Sequence, residues 1–213
     1  MPGPPAERRT LFHRFFAWFM AKVTPTHEAM VEGHKRRLLG ELEGTVVEIG
    51  PGTGPNLKFL PEGVRWIGIE PNVHMHDHIR REAARLGLDV EIRTGIAQEM
   101  ELESDSVDAV VSTLVLCSVR DPDRVLEEIR RILKPGGRFT YIEHVAAPRG
   151  TILRRVQRLI RPLWKTLGDG CHPDRETWRI IEGAGFAEVQ GERFRVPLPV
   201  VAPHIAGVAV KAS

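Results

Sequence analysis

The alternation of apolar and polar positions predicts strands and helices that follow one another with short turns between them. Short β-branched apolar runs have the composition of strands covered on both faces. Longer segments repeat apolar residues at helical spacing, as Met75, Ile79 and Ala83 do. The predicted strands cover residues 45–49, 64–69, 90–94, 106–113, 138–144, 186–195 and 203–211. The predicted helices cover residues 10–23, 28–42, 56–60, 72–86, 122–133 and 175–184.

This alternation indicates an α/β, doubly wound, Rossmann-like fold with a seven-stranded, mostly parallel sheet. The last two strands are expected to close the sheet as an antiparallel hairpin. At 213 residues, 42% of them hydrophobic, the chain suits a single domain. We divide it into N-terminal helices or lid (1–42), a ligand-binding core (43–145), a substrate-side insertion (148–174) and a C-terminal helix and hairpin (175–213).

Net charge and cysteine content exclude several classes of protein. The formal net charge is +2, so no strong field indicates nucleic acid as a partner. Cys117 and Cys171 are too few for a disulfide framework, which is typical of a protein of the reducing cytoplasm. No apolar run approaches the roughly 18 residues of a membrane-spanning helix, so we expect none.

A glycine-rich turn follows the first strand and predicts a ligand site. Gly50 permits a tight turn, Gly52 lets the backbone come close to a ligand, and Gly54 lets helix pack on strand. The spacing departs from the dinucleotide fingerprint, because the third glycine comes one residue early. Glu48 lies just before the turn, where it repels a pyrophosphate and attracts an ammonium or sulfonium group.

Glu70 ends the second strand, roughly 20 residues after Gly50, the spacing at which an acid receives ribose hydroxyls in doubly wound nucleotide sites. Thr113 and Leu114 end the fourth strand. The carboxyl ends of the strands are where such sheets bind ligands, so both residues are candidates.

Three histidines at 74, 76 and 78 raise the question of a metal site. His74 and His78 are four residues apart and share a helix face, but His76 points away and no second ligand cluster accompanies them. We therefore predict a solvated helix face and no metal site.

Two amphipathic segments leave alternatives open. The predicted helix at 10–23 has an aromatic side that closes over the ligand, covers a neighbouring core or makes a peripheral contact with a membrane. The insertion carries basic residues and an apolar stripe, and Pro162 is expected to break or kink its helix. An acidic substrate, a membrane surface or a solvated face are all compatible with this basic helix.

The glycine loop, Glu70, the fourth strand and residues 134–137 resemble class I methyltransferases that depend on S-adenosyl-L-methionine (SAM). Residues 113–119, 143–146, 168–171 with 175–178, and 203–205 resemble more specifically the methyltransferase-like seven family of alkyl thiol methyltransferases. The resemblance implies S-methylation of a small-molecule thiol, with S-adenosyl-L-homocysteine (SAH) as the other product. The oligomeric state stays open.

The resemblance also implies the cofactor site. The turn after the third strand holds the adenine in such enzymes, with an acid before the alanine. Ile96 stands there instead, so we expect Ile96 to pack on the adenine and the Ala97 amide to read its edge, with Glu99 as a substitute acid. The expected cofactor-binding residues are Glu48, Gly50, Pro51, Gly52, Gly54, Asn56, Glu70, Pro71, Ile96, Ala97, Thr113 and Leu114.

Thiol methylation needs alignment more than it needs a strong base, because a thiolate is already a good nucleophile. His144 and Asp169 are the favoured catalytic residues, since both are expected on the sulfonium side of the sheet. His172 and His204 are further candidates, and Cys171 is expected to line the pocket. Three alternative functions remain: O-, N- or lipid-headgroup methylation at a membrane surface, a nicotinamide-dependent oxidoreductase, and a SAM-binding regulator.

Overall fold

The computed structural model describes residues 6–213, except for the side chains of residues 6–10, 12, 19–21 and 23–25. Within this part of the chain the helices are α1 (Ala6–Leu39), α2 (Val73–Leu86), α3 (Pro122–Ile132), α4 (Ile152–Leu167) and α5 (Thr177–Gly183), with a 3₁₀ turn at Leu57–Phe59. The strands are β1 (Thr45–Ile49), β2 (Arg65–Ile69), β3 (Val90–Arg93), β4 (Val107–Thr113), β5 (Leu133–His144), β6 (Glu188–Arg195) and β7 (Pro203–Val210).

The strands form one seven-stranded sheet in the order β3-β2-β1-β4-β5-β7-β6. Strands β1 to β5 pair in parallel, and β7 runs antiparallel to both β5 and β6. The strand order reverses between β1 and β4, so a crevice is expected outside their carboxyl ends. The predicted fold class is confirmed.

Both faces of the sheet are covered. On one face α3 packs Ile129 and Ile132 against a core that includes Val110 and Phe139. On the other face Leu39 of α1 packs against Val46. Burial of each such side chain stabilises the fold by about 1.5–3 kcal/mol, so the central strands form a rigid base for the loops at their ends.

The N-terminal region is one helix where two were predicted. α1 runs through Pro25, although a proline inside a helix costs about 3 kcal/mol. Both halves are held by packing, since Ala17 is buried in the first half and Val31 in the second. The helix ends at Leu39, ahead of the predicted residue 42, because Gly40 follows.

Several other predicted boundaries also differ. The segment after the glycine turn is a 3₁₀ turn rather than an α-helix. β5 begins at Leu133, before the predicted residue 138, because Leu133 pairs with Val107 and an irregularity follows before Arg138 pairs with Ala109. α5 begins at Thr177 rather than residue 175, since Arg175 is held by contacts described below.

Helix α4 differs most from expectation. Pro162 does not end it, and the helix continues to Leu167. The side that faces the protein carries Arg154 and Gln157, both buried. Gln157 accepts from the Ala147 amide at 2.8 Å and donates to the Val200 carbonyl at 3.0 Å. Buried polar bonds therefore help to hold this helix, and Leu153, Ile160 and Trp164 are half-buried. Five other apolar residues of the helix are exposed: Ile152, Val156, Leu159, Leu163 and Leu167.

Candidate active site

The glycine turn after β1 adopts the conformation that its sequence predicts. Gly50, Gly52 and Gly54 have φ values of 55°, 58° and 81°, which favour glycine. A side chain at Gly50 would meet Val115 at 2.8 Å, whereas one at Gly52 would meet no protein atom within 4 Å. The turn therefore packs against the segment after β4 on one side and leaves open space beside Gly52, with Pro51 between the two glycines.

Glu70 lies at the carboxyl end of β2, against this turn. Its carboxylate accepts hydrogen bonds from the amides of Gly52, at 3.0 Å, and Asn72, at 2.9 Å. A carboxylate offers about four acceptor positions, so two remain for the hydroxyls of a ribose. Burial raises the pKa of Glu70 to about 7, and the charges of Asp169 and Glu48 add to this shift. Pro71 follows and leads into α2, which Asn72 caps.

Glu48 and Asn56 lie beneath the turn. The Asn56 amide donates to Glu48 Oε1 at 2.8 Å and to Thr113 Oγ1 at 3.0 Å, and the Trp66 indole donates to Glu48 Oε2 at 2.9 Å. Burial raises the pKa of Glu48 to about 7. These side chains join β1, β2 and β4 below the turn, and both Glu48 oxygens are used by protein donors.

A buried ion pair under the turn was missed in the sequence. Lys35 of α1 is fully buried, and its Nζ lies 2.6 Å from Glu28 Oε1. Burial lowers the Lys35 pKa, and the charges of Glu28 and Glu48 oppose this shift. A lysine that is followed by two arginines gives no signal of burial, because a solvated helix face has the same sequence pattern.

Ile96 and Ala97 lie in the turn after β3. Ile96 is 51% exposed, whereas Ala97 is buried. The Glu99 amide donates to the Ile96 carbonyl at 3.2 Å, which closes the turn. An exposed isoleucine at the carboxyl edge of the sheet provides the apolar surface on which an adenine is expected to pack.

The segment after β4, residues 114–119, is held in a strained and well-anchored conformation. Leu114 has a φ of 58°, which costs a leucine roughly 1–3 kcal/mol. Glu143 of β5 is fully buried and accepts from the amides of Val115 and Leu116, at 3.0 and 3.1 Å. Burial raises the pKa of Glu143. Glu143 therefore fixes the path of the chain beside the glycine turn, a role that the sequence analysis did not assign.

His144, Cys117 and Cys171 meet at the carboxyl ends of β4 and β5. His144 Nε2 lies 3.0 Å from Cys171 Sγ, and Cys117 Sγ lies 3.8 Å from Cys171 Sγ. The Trp164 indole donates to Cys171 Sγ at 3.3 Å. Hydrogen bonds with Cys117, His144 and Trp164 lower the pKa of the Cys171 thiol. From the sequence, Cys171 was expected only to line the substrate pocket.

The turn after α4 links this cluster to the glycine turn. His172 donates its amide to the Cys117 carbonyl at 2.8 Å, and a side chain at Gly170 would meet the Ser118 carbonyl at 2.9 Å. Arg175 donates to the carbonyls of Leu116 and Val119. Asp169 is exposed, has a φ of 47°, and is near enough to Glu70 to raise its pKa. The turn therefore brings Asp169 toward Glu70 and Cys171 toward His144.

The other two histidine candidates have different surroundings. His204 Nε2 lies 3.1 Å from His27 Nε2, and burial lowers their pKa values to about 3 and about 4. His172 Nδ1 lies 2.6 Å from an Arg175 nitrogen, and burial, with the arginine charge, lowers the His172 pKa. His144 is the histidine that has a buried ring nitrogen, Nδ1, without a hydrogen-bond partner.

The residues predicted from the sequence thus form two adjacent groups. Glu70 contacts the glycine turn, open space lies beside Gly52, and Ile96 is exposed in the turn after β3. His144, the two cysteines and Asp169 lie around the segment after β4. No helix in the described part of the chain is long and apolar enough to cross a membrane.

Comparison with known proteins gives matches over almost the whole chain. A family described as a methyltransferase domain matches residues 47–141. The chain is 39% identical over 210 residues to Homo sapiens thiol S-methyltransferase TMT1B, which covers 92% of this chain and 86% of that protein. It is 36% identical over 211 residues to Homo sapiens thiol S-methyltransferase TMT1A, with 93% and 86% covered.

A solved structure shares the fold at low sequence identity. It is a chain from the complex of the Haloferax volcanii Trm112 methyltransferase activator with a methyltransferase, and it superposes with a TM-score of 0.72. The two chains are 19% identical, and the match covers 94% of this chain and 98% of the other.

Proposed function

The chain belongs to the methyltransferase family that includes the thiol S-methyltransferases TMT1A and TMT1B, and we propose that it methylates the sulfur of a small thiol with SAM as donor. The observation that carries this proposal is the 39% identity to TMT1B across 92% of the chain. The resemblance inferred from the sequence is confirmed. Membership of this family also removes the nicotinamide-dependent oxidoreductase as an alternative.

The residues of the cofactor half fit SAM. Glu70 has two acceptor positions left for the ribose hydroxyls, and the space beside Gly52 admits a ligand up to the backbone. Glu48 and Glu70 place negative charge under the turn, which favours a cation. When bound there, SAM supplies a methyl group activated by its sulfonium. The protein's part is to hold it in one orientation and exclude water.

The substrate half fits a thiol. His144 has an unpartnered buried nitrogen that can accept a proton, and the Cys171 sulfur next to its other nitrogen fixes the ring orientation. Asp169 is the second proposed participant, because it lies on an exposed turn between Glu70 and Cys171. A thiol of pKa about 8.5 loses its proton readily, so a weak base suffices here.

Three acceptors that differ in one atom test the function. We expect the purified protein, supplied with SAM, to methylate 2-mercaptoethanol and to leave ethylene glycol and ethanolamine unmodified. Mass spectrometry of the products measures all three reactions. Preferential formation of a methyl ether or a methylamine would refute S-methylation and would favour the O- or N-methyltransferase alternative.

A contact with a membrane surface is a second proposal, and the orientation of α4 favours it. Leu159 is 81% exposed, Ile152 is 78% exposed, and Leu163 and Leu167 are each 64% exposed. Arg155, Arg158, Arg161 and Lys165 are exposed on the same helix. α1 adds Leu11, Phe15 and Trp18, which are 66%, 60% and 57% exposed. An apolar stripe flanked by arginines binds an anionic lipid surface.

Co-sedimentation with anionic phospholipid vesicles tests this contact. We expect Leu159→Glu to weaken vesicle binding and the control Ser104→Glu, which changes charge equally outside α4, to have no effect. Failure of the unmodified protein to sediment with vesicles would refute the contact. We also propose a reducing, cytoplasmic location, which the two unpaired cysteines support.

A further inference from the structure

Cys117, His144 and Cys171 form a cluster of three metal-ligating side chains, called here the Cys2His cluster. Their ligand atoms, two Sγ and one Nε2, all lie within 4.8 Å of one another. The three residues come from the segment after β4, the end of β5 and the turn after α4. Their separations of 27 and 54 residues along the chain explain why no metal motif is visible in the sequence.

The spacing of the cluster matches tetrahedral zinc. With zinc–sulfur bonds of about 2.3 Å and a tetrahedral angle, two thiolate sulfurs lie about 3.8 Å apart. The Cys117 and Cys171 sulfurs are 3.8 Å apart. A zinc–nitrogen bond of about 2.0–2.1 Å requires about 3.6 Å between nitrogen and sulfur. His144 Nε2 is 3.0 Å from Cys171 Sγ, so the imidazole has to withdraw by roughly half an ångström.

The surroundings suit a soft, divalent ion. Two thiolates and an imidazole form a donor set for zinc, whereas Mg²⁺ and Ca²⁺ take oxygen ligands. Cys117 and His144 are only 2% and 4% exposed, and the Trp164 indole donates to Cys171 Sγ at 3.3 Å. Cys171 is the most exposed of the three residues, so a small molecule is expected to reach the ion on its side. Three protein ligands leave the fourth position of a tetrahedral zinc open.

We propose that the Cys2His cluster binds a zinc ion whose fourth position takes the sulfur of the substrate thiol. This proposal rests on the proposed function and deepens it. Coordination releases the thiol proton to water and forms a zinc–sulfur bond, and the sulfur keeps lone pairs for attack on the methyl carbon. A carbon–sulfur bond then forms on the substrate as the methyl–sulfonium bond breaks. The neutral thioether is a weak ligand and leaves.

This arrangement gives the protein two ways to lower the barrier for a thiol. The zinc ion stabilises the thiolate, so even a thiol of high pKa reacts in its ionised form at neutral pH. The ion also fixes the sulfur at the carboxyl ends of β4 and β5, next to the segment that contacts the glycine turn. His144 then acts as a ligand, and the proton passes to water instead of to its ring.

Zinc content tests the site without reference to activity. We expect the protein, purified under reducing conditions and dialysed, to hold one zinc per chain by inductively coupled plasma mass spectrometry. Cys117→Ser, Cys171→Ser and His144→Gln are each expected to weaken zinc binding by more than about tenfold, since loss of even an outer-shell partner costs that much. The double variant His74→Ala, His78→Ala is the control, because it removes two histidines four residues apart on α2 and is expected to keep its zinc.

Cobalt substitution tests the open position. We expect Co²⁺ to give the thiolate charge-transfer and tetrahedral ligand-field bands, and 2-mercaptoethanol to shift them. If circular dichroism shows that a serine variant does not fold, the unmodified protein takes its place. It is stripped of metal with a chelator and then reloaded with Zn²⁺. A metal-free protein whose mass is two hydrogens lower would overturn the proposal in favour of a Cys117–Cys171 disulfide.

The two proposals fail in different ways. Full methylation of the thiol by the metal-free protein would overturn the zinc site's role and leave the proposed function intact. One zinc per chain and the spectral shift without methylation of any thiol would uphold the zinc site and its ligand and refute the proposed function.

Discussion

The two halves of the site differ in how their polar groups are satisfied. In the cofactor half, both oxygens of Glu70 and both oxygens of Glu48 accept hydrogen bonds from neighbouring groups. In the substrate half, His144 Nδ1 and Glu143 Oε2 are buried without a partner, and two sulfurs lie in contact. Asn56 Oδ1 in the cofactor half is also buried without a partner, so the contrast concerns the two carboxylates, which the protein itself orients, and the His144 ring, which is expected to be completed by what it binds.

The two halves of the site also differ in the structural elements that hold them in place. The cofactor half is made by a turn and by strand ends that the central sheet fixes. The substrate half depends on the turn after α4, a helix that is anchored by hydrogen bonds of Arg154 and Gln157 and by three half-buried apolar side chains. Substitutions in the first half are therefore expected to change cofactor affinity, and those in the second to change rate and substrate preference.

The largest expected effect belongs to the substrate half. We expect His144→Ala to lower the rate with alkyl thiols by about 10²-fold, because the variant loses either the proton acceptor or the zinc ligand that favours the thiolate, and to lower it least with acidic aryl thiols. The physical reason is that aryl thiols are already ionised at neutral pH. A series of thiols of graded pKa measures the dependence. An equal loss across the series would mean that His144 only positions the substrate.

Glu70→Ala is the matching test of the cofactor half. Loss of the carboxylate removes the proposed ribose acceptor and leaves two amides unpaired, so we expect SAM binding to weaken by roughly 1.5–3 kcal/mol. Titration calorimetry with SAM and SAH measures this. Asp77→Ala, which removes an exposed acid from the same helix region, is the control. A variant with unchanged affinity would remove Glu70 from the site.

The pH dependence of cofactor binding separates the halves further. Burial raises the pKa of Glu70 to about 7, so the proposed acceptor is protonated below that pH. We expect the SAM dissociation constant to rise about tenfold from pH 8 to pH 6, by calorimetry, and this change to flatten in Glu70→Gln.

The stability of the free protein is expected to change with pH in the direction opposite to SAM affinity. Because the folded-state pKa of Glu70 lies above its ordinary value of 4.5, its contribution to stability is full below that value and is lost as the pH rises through about 7. SAM is therefore expected to raise the melting temperature more at pH 8 than at pH 6. An equal increase at both pH values would contradict a buried acid in the site.

The smallest expected effect comes from a pair of glycines. Gly52→Ala and Gly87→Ala both place a side chain at positive φ, 58° and 70°, with no protein atom within 4 Å. Each is expected to lower the free energy of unfolding by about 1–2 kcal/mol. Only Gly52→Ala is expected to weaken SAM binding, by several-fold, because its methyl group fills the space for the ligand. Equal affinity in the two variants would place the cofactor away from Gly52.

The sequence allowed the cofactor half to be predicted because its residues are close together along the chain. Gly50, Gly52 and Gly54 need positive φ, and Glu70 follows at a spacing set by one 3₁₀ turn and one strand. The substrate half could be predicted only in part. His144 and Asp169 were identified, but the contact of Cys117 with Cys171 depends on how the turn after α4 packs. Lys35 was missed because packing against the sheet, not sequence pattern, decides its burial.

A crystal structure with SAH bound tests the central claim most directly. We predict ribose hydroxyls within hydrogen-bond distance of Glu70, adenine against Ile96, and the homocysteine sulfur facing the segment after β4 on the side of His144 and Cys171. A nucleoside bound elsewhere, or a sulfur directed away from these two side chains, would contradict the account.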